Sequence, residues 1–142
     1  MQSNIEKIGI LIPTFNRLAY LREALDSVLS QTLKAFQIVV IDNGSTDGTS
    51  CYMQTLSDPR VRYVVNEKNL GPIGSINKGI GLMTDEVSWC TILCDDDLLE
   101  PNYIEQFYCT YSCHSLFGSF WSLLQLNRRI GTCSFDSQFK SC

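Results

Sequence analysis

The sequence is short of charge, of histidine and of proline. Only 18% of its 142 residues are charged, one is histidine and four are proline, whereas soluble domains average about 25% charged residues. Because 44% of the residues are hydrophobic, the composition excludes a disordered or collagen-like chain. The length suits one domain, and a domain of this size can bury a core without disulfide or metal staples.

A cluster of basic residues is also missing. Eleven basic and fifteen acidic residues give a net charge of −4. Nucleic-acid-binding proteins contact phosphates through Lys and Arg, so this balance argues against a general nucleic-acid partner.

We expect that the first residues are not a secretory signal, because no basic segment precedes the apolar run, which stops at Pro13. The seven Cys residues are an odd number and about 5% of the chain, below the roughly 8–10% of disulfide scaffolds. We therefore predict free thiols and a cytoplasmic location, with the inner face of the membrane as an alternative. Zinc is disfavoured, because the pairs Cys90/Cys94 and Cys109/Cys113 are spaced more widely than zinc knuckles.

Apolar runs alternate with amphipathic segments over the first hundred residues. The runs are typical of buried strands and cover 8–12, 37–41, 61–65 and 88–94. Helices are predicted at 17–30, from Asp47 to Asp58, at 73–83 and from Pro101 onwards. This alternation predicts an α/β fold with a mainly parallel, Rossmann-like sheet and helices on both faces.

Polar clusters follow three of these strands, at 14–17, 42–47 and 95–97. The carboxyl ends of parallel strands share one edge of the sheet, so the clusters should converge on one rim and form a binding site. Asp95, Asp96 and Asp97 repel one another unless solvent or a cation offsets their charge. Mg²⁺ and Mn²⁺ typically bind one or two carboxylates plus substrate phosphates. A solvated acidic turn is the alternative, and the position on the rim favours the metal.

The other rim residues each allow two interpretations. Asp42 can bind a nucleobase or ribose, or close a turn on its own backbone. Phe15 can stack on a base or belong to the core, and Asn16 can cap the first helix. The glycine-rich segment 69–79 begins a helix whose N-terminus favours phosphate, but it lacks the Walker ending.

Five motifs occur in an order that resembles family 2 glycosyltransferases, which have the GT-A fold. The similarity covers about residues 6–108 and rests on ILIPTFNR (10–17), SVLSQT (27–32), IVVIDNGSTD (38–47), NLGP with NKG (69–72 and 77–79) and LCDDDLLEP (93–101). It implies that the region 1–108 is the nucleotide-sugar-binding half of a GT-A domain.

The resemblance also implies roles for the matching positions. The nucleotide-sugar would be held by Pro13, Thr14, Phe15, Asp42, Asn77 and Asp95. Asp96, with Asp97 beside it, would bind a divalent cation, Mn²⁺ or Mg²⁺. An acceptor hydroxyl would displace the nucleoside diphosphate from the anomeric carbon with inversion. The donor implied is a nucleotide-sugar, with a UDP-sugar favoured. The acceptor would be a saccharide or a lipid-linked saccharide, in cell-surface polysaccharide or glycan synthesis.

The sequence departs from the family pattern in three respects. Cys94 replaces a frequent acidic residue, and Ile76 stands where many relatives carry Arg. Family members also continue for roughly a hundred residues that supply the acceptor site and usually the general base. No residue of this chain is assigned as that base, including Asp136, the only carboxylate after Glu105.

The segment 109–142 differs from the rest, with four of the seven Cys, seven Ser and only four charged residues. We expect it to be a truncated or out-of-frame end, which would leave an inactive fragment. The uncharged stretch 106–127 could hold a membrane helix, although a core or interfacial helix is favoured because its dense apolar part, 116–126, is short.

The functional alternative is a non-catalytic α/β module that binds metal or nucleotide, such as a receiver-like domain. Receivers place their acidic pocket after the first strand, where this sequence has Pro13 and Thr14. That difference favours the glycosyltransferase.

Overall fold

The computed structural model describes residues 7–112, 123–127 and 132–135. Its strands are β1 Lys7–Thr14, β2 Phe36–Asp42, β3 Val61–Val65, β4 Val87–Ile92, β5 Leu123–Asn127 and β6 Thr132–Phe135. Its helices are α1 Leu18–Leu29, α2 Thr49–Thr55, α3 Gly71–Gly81 and α4 Tyr103–Ser112. The predicted alternation of strands and helices is therefore confirmed, with boundaries that shift by one to a few residues.

The strands form one sheet in the order β3-β2-β1-β4-β5-β6. The first four strands are parallel, and β5 and β6 join the β4 side in antiparallel orientation. The chain winds outwards from β1 to β3 and then returns to place β4 on the other side of β1. This reversal creates a topological switch point between β1 and β4, where α/β sheets of this kind bind ligands.

Helices cover both faces of the sheet, as the apolar strands require. Alternate residues of β1 point to opposite sides. On one side, Ile8, Ile10 and Ile12 pack against buried residues of α1, α2 and α4. On the other side, Leu11 packs with residues of β2, β4 and α3. The approach of α3 to β1 is close, since a Cβ added to Gly79 would lie 2.2 Å from Leu11 Cδ1.

The expectation that Pro13 ends the first strand is wrong, because β1 continues to Thr14. Pro13 and Thr14 still pair with β2, whereas the pairing of β1 with β4 stops at Leu11 and Ile92. One side of β1 is thus unpaired at its carboxyl end, and a proline, which lacks an N–H donor, is tolerated there.

The expectation of a helix within 116–126 is wrong where the structure describes that stretch. Leu123–Asn127 forms β5 and pairs with β4 through Trp89, Cys90 and Thr91. The unpaired backbone groups of an edge strand favour the addition of another strand. The rest of that stretch lies outside the described residues. Within the described part of the chain, none of the helices is long and apolar enough to cross a membrane.

Candidate functional site at the carboxyl end of the sheet

The site begins where β1 and β4 separate. The last backbone contact between them is the hydrogen bond that Leu93 N donates to Leu11 O, at 2.9 Å. Beyond this point the chains diverge and their side chains face each other across the switch point. Thr14 Oγ1 donates a hydrogen bond of 2.8 Å to Asp95 Oδ2, and both residues are buried. The predicted contact between the first and the last polar cluster is therefore present.

Arg17 bridges two carboxylates of the acidic triplet. Its Nη1 lies 2.9 Å from Asp96 Oδ2 and 3.4 Å from Asp95 Oδ1. The hydrogen bond to Asp96, together with the charges of Asp95 and Asp96, raises the pKa of Arg17. The side chains of Arg17 and Asp96 are each about half exposed, at 49% and 50%, whereas that of Asp95 is 9% exposed. The triplet thus contains one enclosed carboxylate and one accessible to solvent, joined by the same guanidinium.

The acidic turn brings a possible ligand set together. Ligand atoms of Cys94, Asp96 and Asp97 lie within 4.8 Å of one another, and all three residues are exposed. The turn is closed by a hydrogen bond of 3.0 Å from Asp97 N to Cys94 O. Partial desolvation of the thiol, together with the charges of the neighbouring carboxylates, raises the pKa of Cys94. A hard cation prefers oxygen to sulfur ligands, so the carboxylates of Asp96 and Asp97 are the ligands suited to it.

The second polar cluster holds the loop between β1 and α1. Asn16 has a left-handed φ of 53°, its backbone N–H donates to Ser45 Oγ at 2.8 Å, and its Oδ1 accepts from Thr46 N at 2.7 Å. The alternative role of Asn16 as the cap of the first helix is therefore wrong. Arg17 occupies that position without a capping hydrogen bond of its own. Instead, Asp47 accepts a hydrogen bond from the first N–H of α1.

Asp42 is completely buried at the end of β2. Its Oδ1 accepts a hydrogen bond of 2.8 Å from Ser45 N, and its Oδ2 accepts one of 2.6 Å from Tyr63 Oη. Burial of the phenol and its hydrogen bond to this carboxylate raise the pKa of Tyr63. These contacts are those of the turn-closing alternative, so a ligand can reach Asp42 directly only if one of these partners moves.

A buried amide network connects the second cluster to α3. Asn43 Oδ1 accepts hydrogen bonds from Ser75 Oγ at 2.7 Å and from Asn66 Nδ2 at 2.9 Å. Lys78 Nζ donates to Asn66 Oδ1 at 2.6 Å. Helix α3 contacts this network through Ser75 and Lys78. Asn77, which lies between them in the sequence, is exposed.

Most of the predicted site residues meet at one rim. Thr14, Asp95, Asp96 and Asp97 lie at the switch point, where Pro13 is half-buried and Phe15 is 43% exposed. Asp42 lies one strand away, facing Tyr63.

Three contributing residues had no role assigned from the sequence. Arg17 belongs to the motif ILIPTFNR, but nothing in the sequence indicates that its guanidinium lies against the carboxylates of Asp95 and Asp96. Tyr63 lies in β3 and Asn66 follows it, and only the pairing of β3 with β2 brings these two residues to the site.

Comparison with known proteins identifies the relatives of this chain. Residues 9–111 match the family model for glycosyl transferase family 2. Glycosyltransferase GlyA of Streptococcus pneumoniae is 36% identical over 105 residues, which are 72% of this chain and 15% of that protein. The GalNAc(5)-diNAcBac-PP-undecaprenol beta-1,3-glucosyltransferase of Campylobacter jejuni is 36% identical over 96 residues, which are 66% of this chain and 30% of that protein. The chain thus spans less than a third of the length of these two relatives.

Solved structures show the same fold. S. aureus TarS 1–349 in complex with UDP-GlcNAc aligns with a TM-score of 0.71 at 22% identity, over 76% of this chain and 32% of that one. The mannosyltransferase PcManGT from Pyrobaculum calidifontis, in complex with GDP-Man and Mn²⁺, aligns with a TM-score of 0.60 at 23% identity. The alignment covers 71% of this chain and 31% of that one. The Rossmann-like GT-A architecture is confirmed. With its family model matched over residues 9–111, the chain belongs to glycosyl transferase family 2.

Proposed function

We propose that this chain forms the donor-binding region of an inverting, metal-dependent glycosyltransferase. The substrate is a nucleoside-diphosphate sugar, with a UDP-sugar favoured, and the acceptor is the hydroxyl of a saccharide or a lipid-linked saccharide. The observation that carries the proposal is the convergence of Thr14, Asp95 and Asp96 at the switch point between β1 and β4. Similar proteins of known structure hold UDP-GlcNAc or GDP-Man, and one similar protein acts on an undecaprenol-linked saccharide.

The nucleotide lies along the rim formed by the ends of β1 and β2. Phe15 offers an exposed ring for stacking on a base, and Pro13 fixes the backbone beneath it. Thr14 holds Asp95 beside the ribose. Asp42 contacts the base or ribose once Tyr63 or the turn at Ser45 moves away, since both of its oxygens are engaged. Asn77 approaches from the exposed surface of α3.

The cation is held by Asp96 and Asp97. These side chains fit Mg²⁺ or Mn²⁺ because they are exposed, adjacent and supply oxygen ligands within reach of one centre. Such ions take their other ligands from substrate phosphates and water, so two carboxylates suffice. When bound, the cation neutralises the charge that develops on the leaving diphosphate.

Inversion requires a general base that deprotonates the acceptor hydroxyl on the opposite side of the sugar. None of the carboxylates in residues 7–112 is proposed for this role, because those at the rim are assigned to the donor and the cation or, for Asp47, hold the start of α1. The acceptor class places the proposed activity in cell-surface polysaccharide or glycan synthesis, in the cytoplasm and at the inner face of the membrane.

A transfer assay with a panel of radiolabelled nucleotide-sugars and saccharide acceptors tests this function. We expect the 142-residue chain to bind one class of donor, dependent on Mn²⁺ or Mg²⁺. Because no general base is assigned within residues 7–112, we expect transfer with inversion only when this region is joined to the acceptor-binding half of a similar family 2 enzyme. Robust transfer by the 142-residue chain alone would contradict the expectation of an inactive fragment, and donor binding without transfer by the joined protein favours the non-catalytic module. Failure of every donor to bind contradicts the proposal.

A further inference from the structure

Arg17 lies where the proposed cation must bind, and this position has a consequence for cation affinity. Its guanidinium donates to Asp96 Oδ2 at 2.9 Å, while its second carboxylate contact, to Asp95 Oδ1, is longer at 3.4 Å. Asp95 is also bound by Thr14, whereas Arg17 is the only partner of the Asp96 side chain among the described hydrogen bonds and ion pairs. Arg17 is therefore the described protein group that offsets the charge of Asp96 when no cation is present, in addition to the solvent around this half-exposed side chain.

A guanidinium and a divalent cation interfere with each other at one carboxylate. A carboxylate offers about four lone-pair positions, so both can in principle be accommodated. However, a positive group 2.9 Å from one oxygen of Asp96 repels a second cation at the other oxygen, and a half-exposed site only partly screens this repulsion.

In its position beside the carboxylates, the Arg17 side chain already lies close to the ring of Tyr20. Its guanidinium carbon lies 5.9 Å from the centre of the Tyr20 ring, three residues further along α1. A cation–π contact at this distance is at the outer limit of its range. Movement towards Tyr20 would keep the guanidinium beside an electron-rich ring while it releases Asp96.

We propose that Arg17 is an internal counterion that competes with the divalent cation for Asp96 and thereby weakens cation binding in the absence of the donor. This inference rests on the proposed function, because it takes Asp96 as a cation ligand. Arg17 acts through Asp96 and is a positioning residue. Arg17 would therefore have two functions. It offsets the negative charge of the acidic triplet before the donor arrives, and it makes cation binding depend on movement of the Arg17 side chain away from Asp96.

Mn²⁺ titration of the full chain, followed by the EPR signal of free Mn²⁺ without nucleotide, tests the inference. The variants are Arg17→Gln, Arg17→Lys, Asp96→Asn and Arg22→Gln. Arg22 is the matched control, because it lies on α1 with its guanidinium over Tyr52 at 4.7 Å and its loss changes the net charge equally. We expect Arg17→Gln to lower the Kd for Mn²⁺ about fivefold, in line with measured couplings of exposed ion pairs.

The controls separate the possible causes. Arg17→Lys retains the charge, so it and Arg22→Gln should stay within about twofold of the wild-type Kd. Asp96→Asn should abolish saturable binding. If the wild type binds Mn²⁺ and Arg17→Gln binds it with an equal or higher Kd, the inference about Arg17 is overturned while the proposed cation site stands. Absence of Mn²⁺ binding by the wild type and by Arg17→Gln overturns the proposed cation site, and the inference with it.

Discussion

Replacement of Thr14 by valine tests whether the contact across the switch point stabilises the fold. Valine retains the shape of threonine but removes the donor that lies 2.8 Å from Asp95 Oδ2. Thr14 is 3% exposed and Asp95 is 7% exposed, so water cannot readily replace the lost hydrogen bond. Hydrogen bonds to charged groups contribute about 1.5–3 kcal/mol. We expect the free energy of unfolding to fall by about 2 kcal/mol, within that range.

Urea denaturation followed by far-ultraviolet circular dichroism measures this change. With a slope of roughly 2 kcal/mol per molar urea, the midpoint should fall by about 1 M. Thr55→Val is the matched control, because Thr55 is exposed at the end of α2 and donates only to the Tyr52 carbonyl. The control should change stability by less than about 0.5 kcal/mol. Equal midpoints for the two variants would refute the role given to the Thr14–Asp95 hydrogen bond.

Two further predictions concern stability away from the rim. Gly79→Ala should lower the free energy of unfolding by about 1–3 kcal/mol, because the new Cβ would lie 2.2 Å from Leu11 Cδ1. Gly81→Ala is the matched control and should stabilise α3, because nothing lies within 4 Å of its Cβ. Equal urea midpoints for the two variants would contradict this prediction. The hydrogen bond from Arg60 lowers the pKa of Asp58 to about 2 from 3.8. The carboxylate therefore stabilises the fold above about pH 4 and loses this effect as the pH falls through about 2. Asp58→Asn should lower the free energy of unfolding by about 1–2 kcal/mol at pH 7 and by much less at pH 2. A difference in thermal stability between wild type and variant that does not change with pH would contradict this role of Asp58.

The parallel part of the fold follows from the sequence because its signals are local. Each of the first four strands is a short apolar run, and the alternation with amphipathic helices leaves few arrangements. The convergence of Thr14 with Asp95 was predictable for the same reason, since parallel strands end at one edge. The bounds of β1 were not predictable, because the tolerance of Pro13 depends on where β4 stops pairing.

Other contacts depend on tertiary geometry that a single sequence does not encode locally. The hydrogen bond between Tyr63 and Asp42 requires the register of β3 against β2. The position of Arg17 over two carboxylates depends on the conformation of a loop with a left-handed residue at Asn16. The strand at Leu123–Asn127 is short, and its pairing with the edge of β4 is a tertiary contact that the local sequence does not indicate.

The central claim is that the rim at the switch point binds a nucleoside diphosphate together with a divalent cation. Isothermal titration calorimetry with UDP, in the presence and absence of Mn²⁺, tests it most directly on the wild type and on Asp96→Asn. We predict saturable binding that requires Mn²⁺ and weakens at least about tenfold in the variant, equivalent to about 1.4 kcal/mol. Absence of UDP binding by the wild type, or the same Mn²⁺-dependent affinity in Asp96→Asn, would contradict the account.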